Sequence, residues 1–594
     1  MLKRNREELV NVALGNLSPD VVIVGGNLVN VYTHEIYPAD IIIKGERVAA
    51  VIESGQNTYD DCVNIDARGK FITPGFIDPH VHIESSAVTV QEFAKSVVPR
   101  GITSVAEDPH EIANVLGVKG IRLFFEEAKT VPLNLLLRVP GRVPGMEPHL
   151  ETSGGAISFK ETCELLEWDE AVCLAGDINP NIVLNKDNTH YKKFDFTEQI
   201  RKTISGQSPG LTGGVLNAFI AAGPEDSHVS ENTKEIIDIT RHGMRSLITH
   251  RPDFFGKKDY QELAQAIENN HLDTRLLLFC TDDIQPYVLL ENGHLDERLR
   301  FAIEQGINPV TAIQMATINV ADYFRIDRDY GSITPGKFAD ILIMDNLETV
   351  RVDKVLVHGK VAAIDGELAE QVERFYYPDW AKNTVHVPHP IGPDDFKVRV
   401  IEEFGKATVR AIIPGMPKRE ASVSLKVDKG VVLPDVEHDV LCVAVIDRHS
   451  NNGAIGNGFV TGYGIKDGAV ASSVNHDAHN IVIIGSNYDD MAVAANHLID
   501  LRGGIVVVKN SEVIADVALP IAGIISDVSI EETAQKFKII EEVLLEELHC
   551  ALKPHPLYEI NFLCLPNIPN LGITDKGLIG SNLMEIIDVV KKVE

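Results

Sequence analysis

Residues 71–83 read Phe71-Ile72-Thr73-Pro74-Gly75-Phe76-Ile77-Asp78-Pro79-His80-Val81-His82-Ile83. Apolar side chains dominate this run, Pro-Gly punctuates it, and two histidines stand two residues apart near its end. Side chains alternate across a strand, so His80 and His82 point the same way and can offer two imidazoles to one metal ion. Further strand-like runs follow at ITSVAE (102–107), LNLLLRVP (133–140), AVCLAGDI (171–178), RSLITH (245–250) and RLLLFCTDD (275–283). Helix-like segments alternate with them at 90–100, 160–170, 233–243, 260–269 and 297–306. Strand–helix alternation over roughly 250 residues predicts an α/β fold built on a (β/α)8 TIM-like barrel. His80 and His82 then fall at the C-terminal end of its first strand, where barrel enzymes carry their chemistry. The early strands are not followed by a Gly-x-Gly-x-x-Gly turn, which argues against an open dinucleotide-binding sheet.

Short strands punctuated by turns occupy 21–51 and return at 331–361, on either side of the barrel. Both flanks are expected to build one small composite β-sandwich domain, from residues 1–70 plus 331–385, around a barrel at 71–330. The Pro-rich stretch 375–396 reads as a linker, because proline restricts both itself and its neighbour to extended backbone. Residues 386–594 then form an additional C-terminal α/β domain, with a helix over 530–548 opened by a capping box from Ser529 to Glu532.

The chain has 594 residues, with 44% hydrophobic and 24% charged, a globular composition. Lys and Arg number 55 against 86 Asp and Glu, a net charge of −31 that repels nucleic-acid backbones and anionic lipid. Neither an apolar leader core nor a membrane-length apolar run is visible, so a cytoplasmic address is expected. The 7 scattered cysteines contain no C-x-x-C pair and read as reduced thiols.

PGFIDPHVHIESS (74–86) and VAEDPHEIANVLG (105–117) resemble the amidohydrolase superfamily and, more narrowly, the bacterial adenine deaminase family. Similar stretches continue at 208–223, 280–296, 315–324 and 331–345, and into the last domain at 470–485 and 518–527. The resemblance implies a divalent metal centre at the barrel mouth and hydrolytic attack at C6 of adenine, releasing ammonia and leaving hypoxanthine. His80 and His82 match the family's first-strand ligands. Asp282, in Cys280-Thr281-Asp282-Asp283, matches the strand-eight aspartate that touches the metal and moves the proton.

Three positions depart from the family pattern. The strand-four acid is replaced by Leu174-Ala175-Gly176-Asp177-Ile178-Asn179, where Asp177 can substitute only if the strand is bulged. The strand-five histidine is Gln207, whose neutral carbonyl is a weaker ligand than imidazole. In Asp226-Ser227-His228-Val229 the histidine survives and the following carboxylate does not. His80, His82, His228 and Asp282 are therefore the expected ligands, with Asp177 and Gln207 as further candidates. One or two manganese, iron or zinc ions per chain follow.

Asp108, His110 and Glu111 after strand two, and His294 after strand eight, are substrate-binding candidates. The first group equally suits an additional metal or an ordinary helix start, and His294 a helix-start loop. His476-Asp477-Ala478-His479-Asn480 reads either as a polar turn at a domain interface or as a segment reaching back to the barrel mouth. A small nucleobase is the expected partner, and a homodimer is possible. The departures leave room for another aminopurine, a pterin-like ring or a cyclic amide as substrate, or for a silent nucleobase-binding paralogue.

Overall fold

The computed structural model of the chain describes residues 5–55, 61–176, 178–249, 255–269, 272–566, 568, 570–580 and 584–593. Eight parallel strands line up as a barrel: Phe76–Val81, Ile102–Glu107, Asn134–Pro140, Ala171–Ala175, Thr203–Ile204, Asp226–Ser227, Arg245–Ile248 and Leu277–Phe279. The first five pair in one ladder and the last three in another. Two backbone bonds close the circle: the Glu225 amide donates to the Ile204 carbonyl at 2.8 Å, and the Asp282 amide to the His80 carbonyl at 2.9 Å. Ile77, Ala106, Leu136, Leu247 and Leu278 share one apolar cluster with Tyr323 and Phe324. A larger cluster packs the strands against the surrounding helices.

The first strand is not regular. Asp78 pairs with Val105 and Val81 with Glu107, so three steps on this strand oppose two on its neighbour. That extra residue is a bulge at Pro79, which has no N–H to give to a ladder. Its consequence is a reversal of side-chain direction. Ile77 faces the inner cluster and Val81 packs in the outer one, which leaves His80 and His82 facing the lumen.

Strand Phe71–Pro74 does not belong to the barrel, where the sequence pattern placed it. It pairs with strand Ile341–Asn346 and with strand Val21–Val29, inside one continuous nine-stranded sheet built from both flanks. Gly75 makes the transition, because a Cβ there would meet Thr103 Oγ1 at 2.2 Å.

The C-terminal part holds a mostly antiparallel ten-stranded sheet with separate apolar cores. Helix Ile530–Glu546 is capped by Ser529, whose hydroxyl accepts from the Glu532 amide at 3.3 Å. The reciprocal bond expected of the box, from the Ser529 amide to Glu532, is not formed among the described residues, and across the domain seam the Ile530 amide donates to Glu92 of a barrel helix at 3.1 Å. The Pro-rich linker is packed too, with Tyr377 buried and its hydroxyl donating to Glu127. Among the described residues, no helix is long and apolar enough to cross a membrane.

Candidate active site

Alternation delivers the site residues to the lumen. On strand eight Leu278 and Cys280 face the inner cluster, and Asp282 continues the series. Two residues beyond Asp226, on the same face, comes His228, and two beyond Ser205 comes Gln207. These ends surround a cavity bounded by His80, His82, His110, Arg138, Gln207 and His228.

Asp282 Oδ1 lies 3.4 Å from His80 Nε2 and 3.5 Å from His82 Nε2. Two donors each ~2.1 Å from one ion stand ~3.4 Å apart at the tetrahedral angle, so these edges fit a transition-metal cage. His228 joins the group, its ring centroid 4.3 Å from that of His80. The donor atoms of His80, His228 and Asp282 all lie within 4.8 Å of one another.

The orientation of His82 and the neutral state of His80 suit ligation. His82 Nδ1–H donates to the Asp108 carbonyl at 2.9 Å, which turns the Nε2 lone pair toward Asp282. Burial, reinforced by Arg138 and His228, holds the His80 imidazole well below its ordinary range and therefore neutral. Among the described residues, neither ring nitrogen of His80 meets a hydrogen-bond partner, an expensive arrangement for buried polar atoms and one that a bound cation relieves. The residues present therefore fit a divalent metal.

Asp282 has φ 61°, a left-handed conformation that aspartate tolerates better than most residues. Behind it, Asp78 accepts from the amides of His80 at 3.0 Å and Thr281 at 3.1 Å. Burial pushes the Asp78 carboxyl up to about 7 despite those bonds.

Asp108 and His110 line the cavity. Asp108 accepts from the Gly176 amide at 3.0 Å. Glu111 turns away from the cavity to meet His476 and His479 of the C-terminal domain. The His476–Asn480 segment is thus an interface turn that also reaches the edge of the mouth. His294 is not brought to the cavity: fully buried, it lies 3.6 Å from Asp78 and edge-on to Phe93. The substrate contact expected of it is replaced by packing behind strand one. Gln207 lines the cavity, and its backbone N–H donates to the Ile178 carbonyl at 3.0 Å. Asp177 lies outside the described residues, as does His250 at the end of the RSLITH run.

Sequence reasoning passed over Arg138, a fully buried cation at the cavity floor. Its guanidinium donates to the Pro79 carbonyl at 2.7 Å and to Ser205, and lies 4.0 Å from Asp226. A lone arginine inside the apolar run LNLLLRVP was the available signal.

Residues 71–362 match the amidohydrolase family, and residues 416–584 match the adenine deaminase C-terminal domain. The chain is 38% identical over 588 residues to an adenine deaminase of Moorella thermoacetica, covering 98% of each. It is likewise 38% identical over 588 residues to an adenine deaminase of Clostridium botulinum, covering 98% of this chain and 97% of that one. Adenine deaminase 1 of Carboxydothermus hydrogenoformans is 36% identical over 604 residues, with 99% of this chain and 98% of the relative covered.

Proposed function

Since the chain belongs to the adenine deaminase family of amidohydrolases, we propose that it hydrolyses adenine to hypoxanthine and ammonia, using a metal centre formed by His80, His82, His228 and Asp282. The observation that carries this reading is the position of Asp282 Oδ1, 3.4 and 3.5 Å from two histidine nitrogens at the wall of a buried cavity. Imidazole and carboxylate together suit manganese, iron or zinc. When bound, such an ion supplies a Lewis acid that makes water nucleophilic near neutral pH and stabilises the charge developing on addition to C6.

The chain's residues perform the remaining work. Asp282 takes a proton from the attacking water as the C6–O bond forms, then gives it to the exocyclic nitrogen as the C6–N bond breaks. The leaving amino group departs as ammonia, and the second water proton ends on the hypoxanthine ring. Gln207 presents an amide donor and acceptor to the edge of a heterocycle, and Asp108 and His110 form the opposite polar wall. Arg138 holds strands one, three and five together beneath the histidines. Asp177 stands as a further ligand candidate by its sequence position alone.

Product analysis across adenine, other aminopurines, a pterin and a cyclic amide tests this reading. The expected result is hypoxanthine from adenine at the highest kcat/KM of the set. Faster turnover of another ring would reassign the substrate, and metal binding without turnover of any ring would mark a silent nucleobase binder.

A further inference from the structure

A second set of metal-ligating groups lies at the seam between the barrel and the C-terminal domain. His110 and Glu111 open the helix after strand two, His110–Leu116, and Asp477 comes from the C-terminal domain. One donor atom from each lies within 4.8 Å of the others, and all three residues are buried. His110 Nε2 stands 2.9 Å from Glu111 Oε1 and 4.0 Å from Asp477 Oδ1. Donors ~2.1 Å from one ion are ~3.0 Å apart at a right angle and ~4.2 Å apart when opposed, so both separations fit a single cation.

The surroundings orient these donors as the outer partners of a metal site do. Asp108 Oδ1 lies 3.4 Å from His110 Nδ1, which directs Nε2 toward the two carboxylates. His476 and His479 each contact one oxygen of Glu111 and fix its plane. Five chemistry-bearing side chains from two domains thus converge in a buried volume beside the cavity, with the His110 ring 4.8 Å from that of His82.

We propose that His110, Glu111 and Asp477 bind a divalent cation of the manganese–iron–zinc class, separate from the centre at His80 and His228. This ion joins the C-terminal domain to the rim of the barrel mouth and fixes His110 in the cavity wall. The proposal does not depend on the identity of the substrate, because its ligands and its readout are independent of turnover.

The test is anomalous diffraction from crystals of the full chain, stripped with chelator and reloaded with Mn²⁺ alone or Zn²⁺ alone. A peak bonded to His110 Nε2, Glu111 and Asp477, additional to any peak at His80 and His228, is the expected result. In solution, the His110→Ala/Asp477→Asn double variant should bind one ion fewer per chain than the wild type. The His80→Ala/His228→Ala variant should keep the seam ion while losing the other. Anomalous density confined to the His80–His228 centre at saturating metal would overturn the proposal and leave the seam as a network of proton-bridged ion pairs. Unchanged stoichiometry in a folded His110→Ala/Asp477→Asn variant would overturn it as well.

Discussion

Asp282 and His80 are joined twice: the Asp282 amide donates to the His80 carbonyl at 2.9 Å, and Asp282 Oδ1 stands 3.4 Å from His80 Nε2. One contact closes the barrel between strands eight and one; the other places a carboxylate among the imidazoles. Replacing Asp282 by Asn keeps the backbone bond and removes the base. Asp282→Asn should lower kcat by about 10²–10⁴-fold with an unchanged thermal midpoint. Steady-state kinetics beside a melting curve checks this, and activity within a few-fold of wild type would exclude the proton-moving role.

The bulge at Pro79 turns two histidines into the lumen, and it depends on residue count rather than on the ring of the proline. Pro79→Ala retains the count and the carbonyl that accepts from Arg138, so activity should stay within about ten-fold. Deleting Pro79 removes the extra residue, and regular alternation from Ile77 then still brings His80 and His82 to the lumen. That deletion should leave metal retention in place, measured as ions per chain after gel filtration. Loss of the metal from a folded deletion variant would show that residue count does not set the ligand direction.

Much of this was legible in residues 71–83, because two histidines at period two on an apolar run identify one face of a strand. In a barrel that face is expected to point inward, but the bulge that turns it there was not legible, since a bulge is a property of pairing with strand Ile102–Glu107 and leaves little local trace. Phe71–Pro74 went to the wrong sheet for a similar reason: its partner, Ile341–Asn346, is remote in sequence. Glu111 was legible as chemistry but not in its destination, because His476 and His479 meet it only through domain packing. Arg138 looked like an interruption of a strand until its partners from strands one, five and six were placed around it.

Arg138 makes a further prediction. It and Asp226 are both fully buried, and Asp226 also accepts from the Tyr323 hydroxyl. Arg138→Met leaves that carboxylate without its cation and should cost about 3–5 kcal/mol of stability. Arg138→Lys keeps the charge but not the two-pronged reach to Pro79 and Ser205, and should fall between. Denaturant titrations of the three proteins give the ranking, and equal midpoints would refute the account of the barrel floor.

Glu541, buried on helix Ile530–Glu546, gives a signed pH dependence. Burial pushes its carboxyl from 4.5 up to about 8. Between those values the unfolded chain has released the proton and the folded chain still holds it, so stability falls as pH rises from about 4.5 to 8 and then levels off. The loss is on the order of a few kcal/mol. Glu541→Gln should remove this component and be the more stable protein at pH 9. Parallel unfolding curves for the two proteins between pH 5 and 9 would contradict it.

The central claim is hydrolytic deamination at the centre formed by His80, His82, His228 and Asp282. The most direct test is ammonia release from adenine by the protein reloaded separately with manganese, iron and zinc, with bound metal quantified in the same samples. Turnover proportional to the metal bound, with hypoxanthine formed in equal amount to ammonia, is the predicted result. Absence of ammonia from samples in which anomalous diffraction places an ion on His80 and His228 would contradict it.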